Sequence, residues 1–286
     1  MSRYPPPPRN YTALPTGPVR RGPRDVRHDQ RLPGLLSGVL LLRLEALDPL
    51  HVGTGGLAPV RRGGGGVALA LDLVTQNNAA AIPGSSLKGL ARSTYEALAG
   101  GCDLHGSCNP RCTACLLFGY VERQQTFAGR VGFEDALAIK PHTVPTVAAP
   151  LPQAFQPRRA VGRRVYGPPV QGRATPVRAL AAPAGTRFLS RMTLRNVSPQ
   201  ELGLVLLGLG VDGSFAPRVG GGRYHGLGRV AITVRRARLR EGRQVRPETL
   251  RQDRLARQVE AWLEAAEPTS NGREALTVLR NPGGSR

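Results

Sequence analysis

Ile82-Pro83-Gly84-Ser85-Ser86-Leu87-Lys88-Gly89 reads as the entrance to a helix. Leu87, Leu90, Ala91, Thr94 and Leu98 recur at the spacing of one helical stripe, Lys88 and Arg92 share the opposite face, and Gly100-Gly101 supplies the stop. The spacing therefore predicts a helix over 85–98. A glycine and two hydroxyl residues at its start expose backbone N–H groups at the positive helix end, and Lys88 adds a mobile charge. The same residues serve equally as a phosphate seat or as an ordinary capped helix start. The Walker spacing of glycine, four residues and Gly-Lys-Ser/Thr is absent, which removes the main support for nucleotide hydrolysis.

Upstream, Leu40, Leu42, Leu44 and Ala46 alternate with Leu41, Arg43 and Glu45, the period-two pattern of a strand with one buried face. That strand closes in the loop His51-Val52-Gly53-Thr54-Gly55-Gly56. Downstream, Phe188, Met192 and Leu194 alternate with Arg187, Arg191 and Arg195, a strand with a strongly basic exposed face. Ser198-Pro199-Gln200-Glu201 is a capping box with proline at the first helical position, ahead of the stripe Leu202, Val205, Leu206 and Leu209. Val230, Ile232 and Val234 form a last strand that runs on into Arg235, Arg236, Arg238 and Arg240. The order strand, helix, strands, helix, strand predicts an α+β protein with a ferredoxin-like, RRM-like βαββαβ core over 35–240. Residues 1–34, rich in proline and arginine, read as a flexible basic arm. Residues 141–185 combine prolines with Arg158, Arg159, Arg163, Arg164 and Tyr166 and read as an inserted arm, or equally as a disordered loop. Leu255, Val259, Trp262 and Leu263 predict a terminal helix from about Glu248 to Glu267, docked through Trp262, within a helix-and-tail region over 241–286.

Forty basic residues against nineteen acidic ones give a formal charge of +21. Such an imbalance opposes compact folding unless a polyanion neutralises it, and nucleic acid is the leading candidate. Lys88 and Lys140 are the only lysines, so the charge is almost all guanidinium, which binds phosphate bidentately and stacks on bases. No stretch of about 18 apolar residues is present, and Met1 precedes no apolar signal-peptide core, so a cytoplasmic protein without a membrane partner is expected. A second glycine-rich run, Val219 to Arg229, precedes a strand instead of opening a helix and so is no dinucleotide loop. Its glycines allow close approach of a ribose-phosphate chain, with Arg223, Tyr224 and Arg229 supplying charge and a stacking ring. Cys102, Cys108, Cys112 and Cys115, with His105 between them, offer five soft ligands to a four-coordinate ion. Structural Zn2+ is the natural fit, held by two knuckle-like pairs or by the four cysteines.

Taken in order, the His-x-Gly-x-Gly loop, IPGSSLKG and the C-terminal glycine loop resemble the RAMP superfamily, RNA-binding subunits of CRISPR-Cas effector complexes. The resemblance is close to the type III backbone subunits and extends to Cys115-Leu116-Leu117-Phe118-Gly119 and to Arg130-Val131-Gly132-Phe133-Glu134-Asp135-Ala136, covering roughly Leu40 to Val234. It implies an RRM-like palm with a thumb, 141–185, polymerising with copies of itself and other subunits along CRISPR guide RNA to act on target RNA in antiviral defence. Ser85, Ser86 and Lys88 would contact guide phosphates, while Gly221, Gly222, Gly226 and Gly228 would let the RNA backbone lie close. His51, Gly53, Gly55, Gly84, Arg92, Arg158, Arg159, Arg163, Arg164, Arg223 and Arg229 complete the expected RNA-binding set. In one branch of the family a loop aspartate cuts target RNA with a divalent metal such as Mg2+. Asp72 is the residue in the matching interval, although its neighbours Ala70, Leu71, Leu73 and Val74 are apolar and strand-like; Asp48 reads as Asp-Pro turn chemistry. Two rival functions use the same residues: a RAMP-type endoribonuclease processing CRISPR RNA with His51 or His225 as general acid/base, and a zinc-bearing structural nucleic-acid-binding protein.

Overall fold

The computed structural model describes residues 11–15, 17–23, 27–61, 65–102, 112–122, 125–140, 146–147, 163–168 and 178–282. The first part of the chain forms β1 (Tyr11–Ala13), β2 (Leu36–Ala46), β3 (Gly53–Arg61), β4 (Val67–Leu73), β5 (Thr75–Gln76) and β6 (Ala79–Ile82). Helices α1 (Gly84–Ala99) and α2 (Thr113–Phe118) follow, then the short strands β7 (Tyr120–Glu122), β8 (Gln125–Phe127), β9 (Val131–Phe133), β10 (Ala136–Ala138), β11 (Thr146–Val147), β12 (Arg164–Tyr166) and β13 (Leu180–Ala181). The last part carries β14 (Arg187–Val197), α3 (Pro199–Gly208), β15 (Val230–Glu241), β16 (Glu248–Leu250), α4 (Gln252–Glu264) and α5 (Ser270–Arg280).

The chain is a mixed α/β protein built on an antiparallel sheet in the order β16-β15-β2-β14-β10-β6-β5, with β9 also paired to β14. Alternation decides which face is covered. Leu40, Leu42 and Leu44 of β2, Phe188 and Met192 of β14 and Ile232 of β15 are buried in one apolar cluster with Leu87 and Tyr95 of α1 and Leu202, Val205 and Leu206 of α3. The capping box at α3 forms as the sequence predicts, Ser198 Oγ accepting from Glu201 N at 3.1 Å and Glu201 Oε2 from Ser198 N at 3.0 Å. The same Glu201 carboxylate grips the buried Arg130 guanidinium, which also donates to Leu116 O at 2.9 Å, so the first turn of α3 is tied to α2 and the approach to β9.

Three regions depart from the expectations. The described parts of the N-terminal arm are hydrogen-bonded to the fold: β1 pairs with β12, Arg20 N donates to Gly100 O at 2.7 Å, and Leu32 N donates to Asn196 Oδ1 at 3.0 Å. Residues 248–250, expected at the start of the terminal helix, add a strand to the sheet edge instead. The expected tail contains α5, capped by Thr269 and seated through Ala275, Leu276 and Leu279. Weak helix formers at its start, Ser270-Asn271-Gly272, mask that helix in the sequence. Gly272 packs so tightly on α1 that an added Cβ would sit 2.1 Å from Leu98 O.

Candidate nucleic-acid groove and cysteine centre

The two glycine loops, read separately in the sequence, are one structural unit. Gly221 N donates to His51 O at 2.8 Å, and Gly220, with φ +82°, lies where a Cβ would be 2.1 Å from that same carbonyl. The His51 ring is buried against Gly53 and Gly221, and its Nδ1 bonds Leu180 O at 2.7 Å. A carbonyl only accepts, so Nδ1 carries the proton and the ring works as a clamp between loops. Asp48, read from the sequence as a turn residue, locks the far end of the run. Its carboxylate takes a bidentate contact from Arg229, at 2.7 and 2.9 Å, and a third from Arg218 at 3.0 Å. Burial pushes the Asp48 pKa up, but the hydrogen bonds and charges of Arg229 and Arg218 outweigh it, leaving the carboxyl below its ordinary range. Expected RNA-binding residue Arg229 is thus already paired.

These loops form one wall of a groove of about 1280 Å³, and α1 contributes Ser86, Gly89 and Ser93 to its lining. Arg164, Tyr166 and Arg223 line it too. The Arg223 guanidinium lies 5.7 Å from the centre of the Tyr166 ring, which pairs with Tyr11 at 6.2 Å, while Arg164 lies 5.0 Å over Tyr11. Guanidinium groups beside aromatic faces are the combination that accepts phosphate and base together. His225 also lines the groove; burial lowers its pKa, which favours the neutral ring, and its Nδ1 has no hydrogen-bond partner among the described residues.

The helix entrance, readable from its sequence as a phosphate seat or as a capped helix start, carries a cap from a residue remote in sequence. Gly84 N donates to Asp135 Oδ1 at 2.7 Å, and a Cβ at Gly84 would stand 2.1 Å from Phe133 O. IPGSSLKG and RVGFEDA are therefore one joint: the glycine admits the β9–β10 turn, whose aspartate caps α1 from outside the helix. A carboxylate already occupies the positive end. Ser85 is exposed and Lys88 half-buried, with no ion pair for Lys88 among the described residues.

Arg92 and Arg163, expected on RNA, belong to the cysteine centre. Sγ atoms of Cys102, Cys112 and Cys115 lie within 4.8 Å of one another, Cys102 and Cys115 at 3.7 Å. Cys112 caps α2, its Sγ accepting from Cys115 N at 3.3 Å. Arg92 reaches Cys115 Sγ at 3.4 Å, Gly119 O at 2.9 Å and Glu96 at 2.8 Å, and Arg163 closes onto the other oxygen of Glu96 and onto Cys102 O. Burial disfavours the Arg92 charge, yet Glu96 and Cys115 raise its pKa overall. Converging sulfurs with N–H donors suit a soft divalent ion. His105 and Cys108, the remaining expected ligands, lie outside the described residues, as do Arg158 and Arg159.

Asp72 is in strand β4, partly exposed, accepting from Thr54 Oγ1 at 3.2 Å and Leu73 N at 2.9 Å. Among the described residues the three cysteines are the only cluster of three or more metal-ligating groups, so Asp72 is not part of such a cluster.

The sequence model of the RAMP superfamily matches residues 43–231, and the chain belongs to that superfamily. No curated protein matches it. Among solved structures it is similar to Csc2 of Thermofilum pendens, at 15% identity over 88% of this chain and 79% of that one, with a TM-score of 0.41. It is also similar to a chain of a type IV-B CRISPR complex, at 17% identity over 68% of this chain and 90% of that one, with a TM-score of 0.39. No described helix is long and apolar enough to cross a membrane.

Proposed function

We propose that the protein is a guide-RNA-binding backbone subunit of a CRISPR-Cas effector complex of type III, acting in cytoplasmic antiviral defence beside other subunits and copies of itself. One observation carries the reading: the His51 loop, the Val219–Arg229 run and the first turns of α1 converge on a single groove with Arg164, Tyr166 and Arg223. The backbone of a guide strand would run there, with Ser86 meeting phosphates from α1 and Gly221 and Gly226 lying beneath the ribose chain, while Lys88 and Gly222 stand outside the groove's lining and would meet the strand only beyond it. The strand order β15-β2-β14-β10, with α1 and α3 between strands of one sheet, supports a ferredoxin-like core. Cys102, Cys112 and Cys115, with His105 or Cys108, would hold Zn2+ to fix the connection after α1; four protein ligands leave it a structural role. Should the complex cut target RNA with Mg2+, Asp72 is the carboxylate assigned to the metal.

The test is to express the chain with a CRISPR array and sequence the RNA that copurifies. Enrichment of repeat-spacer RNA is expected, and bulk ribosomal RNA without it refutes the reading. Cleavage is scored separately: an unchanged Mg2+-dependent rate in Asp72→Ala removes that residue from the chemistry.

A further inference from the structure

The sheet has a second face, opposite α1 and α3, and its chemistry is unlike that of the groove. Cross-strand register assigns its rows. Thr233, Arg43 and Leu189 stand side by side, then Arg236, Leu41 and Arg191, then Arg238, Val39 and Thr193, with Arg240 beside Ser37 beyond them. This phase is set by a bulge. Pairing shifts between Val234 and Arg236, so Arg235 is the extra residue; without it, Arg236, Arg238 and Arg240 would point at the core in place of Ala237 and Leu239. The chain thus turns three arginines outward at the cost of a ladder irregularity.

Arginine columns on β15 and β14 flank a partly exposed apolar strip of Leu41 and Val39, with Leu189 37% exposed at its end. Glu45, from the neighbouring row, is the one carboxylate on the three strands that shares this face, and it pairs with Arg187 at 3.1 Å. Arg191 pairs with the exposed Glu134 of the β9–β10 turn at 3.4 Å, whereas Arg43, Arg236, Arg238 and Arg240 have no ion pair among the described residues. Alternate residues along a strand lie roughly 6.6 Å apart, and the outer columns are separated by about two strand spacings, near 9.6 Å. Arg236 to Arg240 stand roughly 23 to 36 Å along β15 from Arg229 at the groove.

We propose that this face is a second binding site, for the phosphate backbone of a single-stranded nucleic acid distinct from the strand in the groove. Guanidinium columns meet phosphates, and the apolar strip between them suits unpaired bases, which a duplex keeps stacked inside. A second copy of the chain is a poor occupant, because each copy carries a formal charge of +21. The site lacks an aromatic platform on its mapped rows, so it recognises backbone without sequence preference.

The test uses the full-length chain purified with its copurifying RNA, and titrates fluorescent oligouridine, oligothymidine and duplex DNA across a sodium chloride series. The variant Arg191→Ser/Arg236→Ser/Arg238→Ser alters exposed side chains; Arg238→Ser alone is the milder companion. With three phosphates no longer neutralised, the slope of log affinity against log salt should fall by about 2, and by about 0.7 in the single variant. Copurifying RNA should be retained in both. Preference between oligouridine and oligothymidine identifies the sugar accepted. An unchanged slope in both variants, or duplex bound as tightly as single strands, overturns the proposal. Loss of a copurifying protein with unaltered oligonucleotide binding overturns it too. Failure of repeat-spacer RNA to copurify bears only on the groove.

Discussion

Asp135 should decide whether the start of α1 is closed by the protein or left open for phosphate. Its carboxylate accepts from Gly84 N at 2.7 Å, and Gly84 is buried. Asp135→Ala removes a charge-assisted hydrogen bond, which contributes about 1.5–3 kcal/mol and leaves a buried donor unsatisfied. It also removes a negative charge from the helix N-terminus, a further 0.3–1 kcal/mol or so. The expected loss is therefore about 2–4 kcal/mol. Asp135→Asn keeps an acceptor of the same shape and should cost about 1 kcal/mol. Gly84→Ala, whose Cβ would enter contact at 2.1 Å with a backbone carbonyl, should cost at least the upper part of the 1–3 kcal/mol overpacking range, or about 3 kcal/mol. Urea denaturation at neutral pH measures all three from the midpoint at constant m. The reasoning fails if Ala and Asn are equally mild, or if Asp135→Ala tightens guide RNA severalfold at unchanged stability, since that would mean that the aspartate competes with a phosphate.

Three further outcomes are expected. Elemental analysis of the purified chain should give about one zinc per chain, lost in Cys115→Ser, and only one of His105→Ala and Cys108→Ser should share that loss; well under one zinc in the wild type removes the centre. Glu201→Gln strands the buried Arg130 charge and should cost about 3–5 kcal/mol in the same urea assay, whereas a loss under about 1 kcal/mol would show that water reaches the guanidinium. Asp48 titrates below its unfolded value of about 3.9, so its contribution is complete above that pH and is lost as pH falls through the lower folded value. The stability gap between wild type and Asp48→Asn should accordingly be constant near neutrality and close in acid below about pH 4; a gap that persists there refutes the link to Arg229 and Arg218.

Periodicity makes the central elements legible: β2, α1, β14, α3 and β15 each carry a period of two or of three to four over a length that admits little else. Element ends are less legible, because strands β10 and β13 are two or three residues long and owe their existence to partners far along the chain. At the site, residue type alone places Arg92 and Arg163 with the phosphate binders, yet Glu96 draws both to the cysteine centre. Only the fold brings Glu96 between them, since Arg163 is 67 residues away. Asp48 and Asp135 escape a reading by residue type for the converse reason. A single aspartate after a strand looks like a turn, and what it holds is a loop or a helix remote in sequence.

Glycine has two meanings in this site, and they can be separated by what a methyl group would meet. At Gly84, Gly220 and Gly228 a Cβ would strike a backbone oxygen at 2.1 Å, so the fold itself requires the residue. At Gly89 it would meet nothing within 4 Å, although this residue sits inside α1, is exposed and lines the groove. A glycine in a helix interior costs about 0.5–1 kcal/mol relative to alanine. Folding alone would therefore select against it, whereas a nucleic-acid backbone lying against that turn of α1 would require it. Gly89→Ala should raise urea stability by about that amount and at the same time weaken guide RNA binding, opposite signs from one methyl group. If the variant is stabilised and binds guide RNA as tightly as the wild type, no backbone lies against this turn, and the guide strand must follow the glycine loops alone.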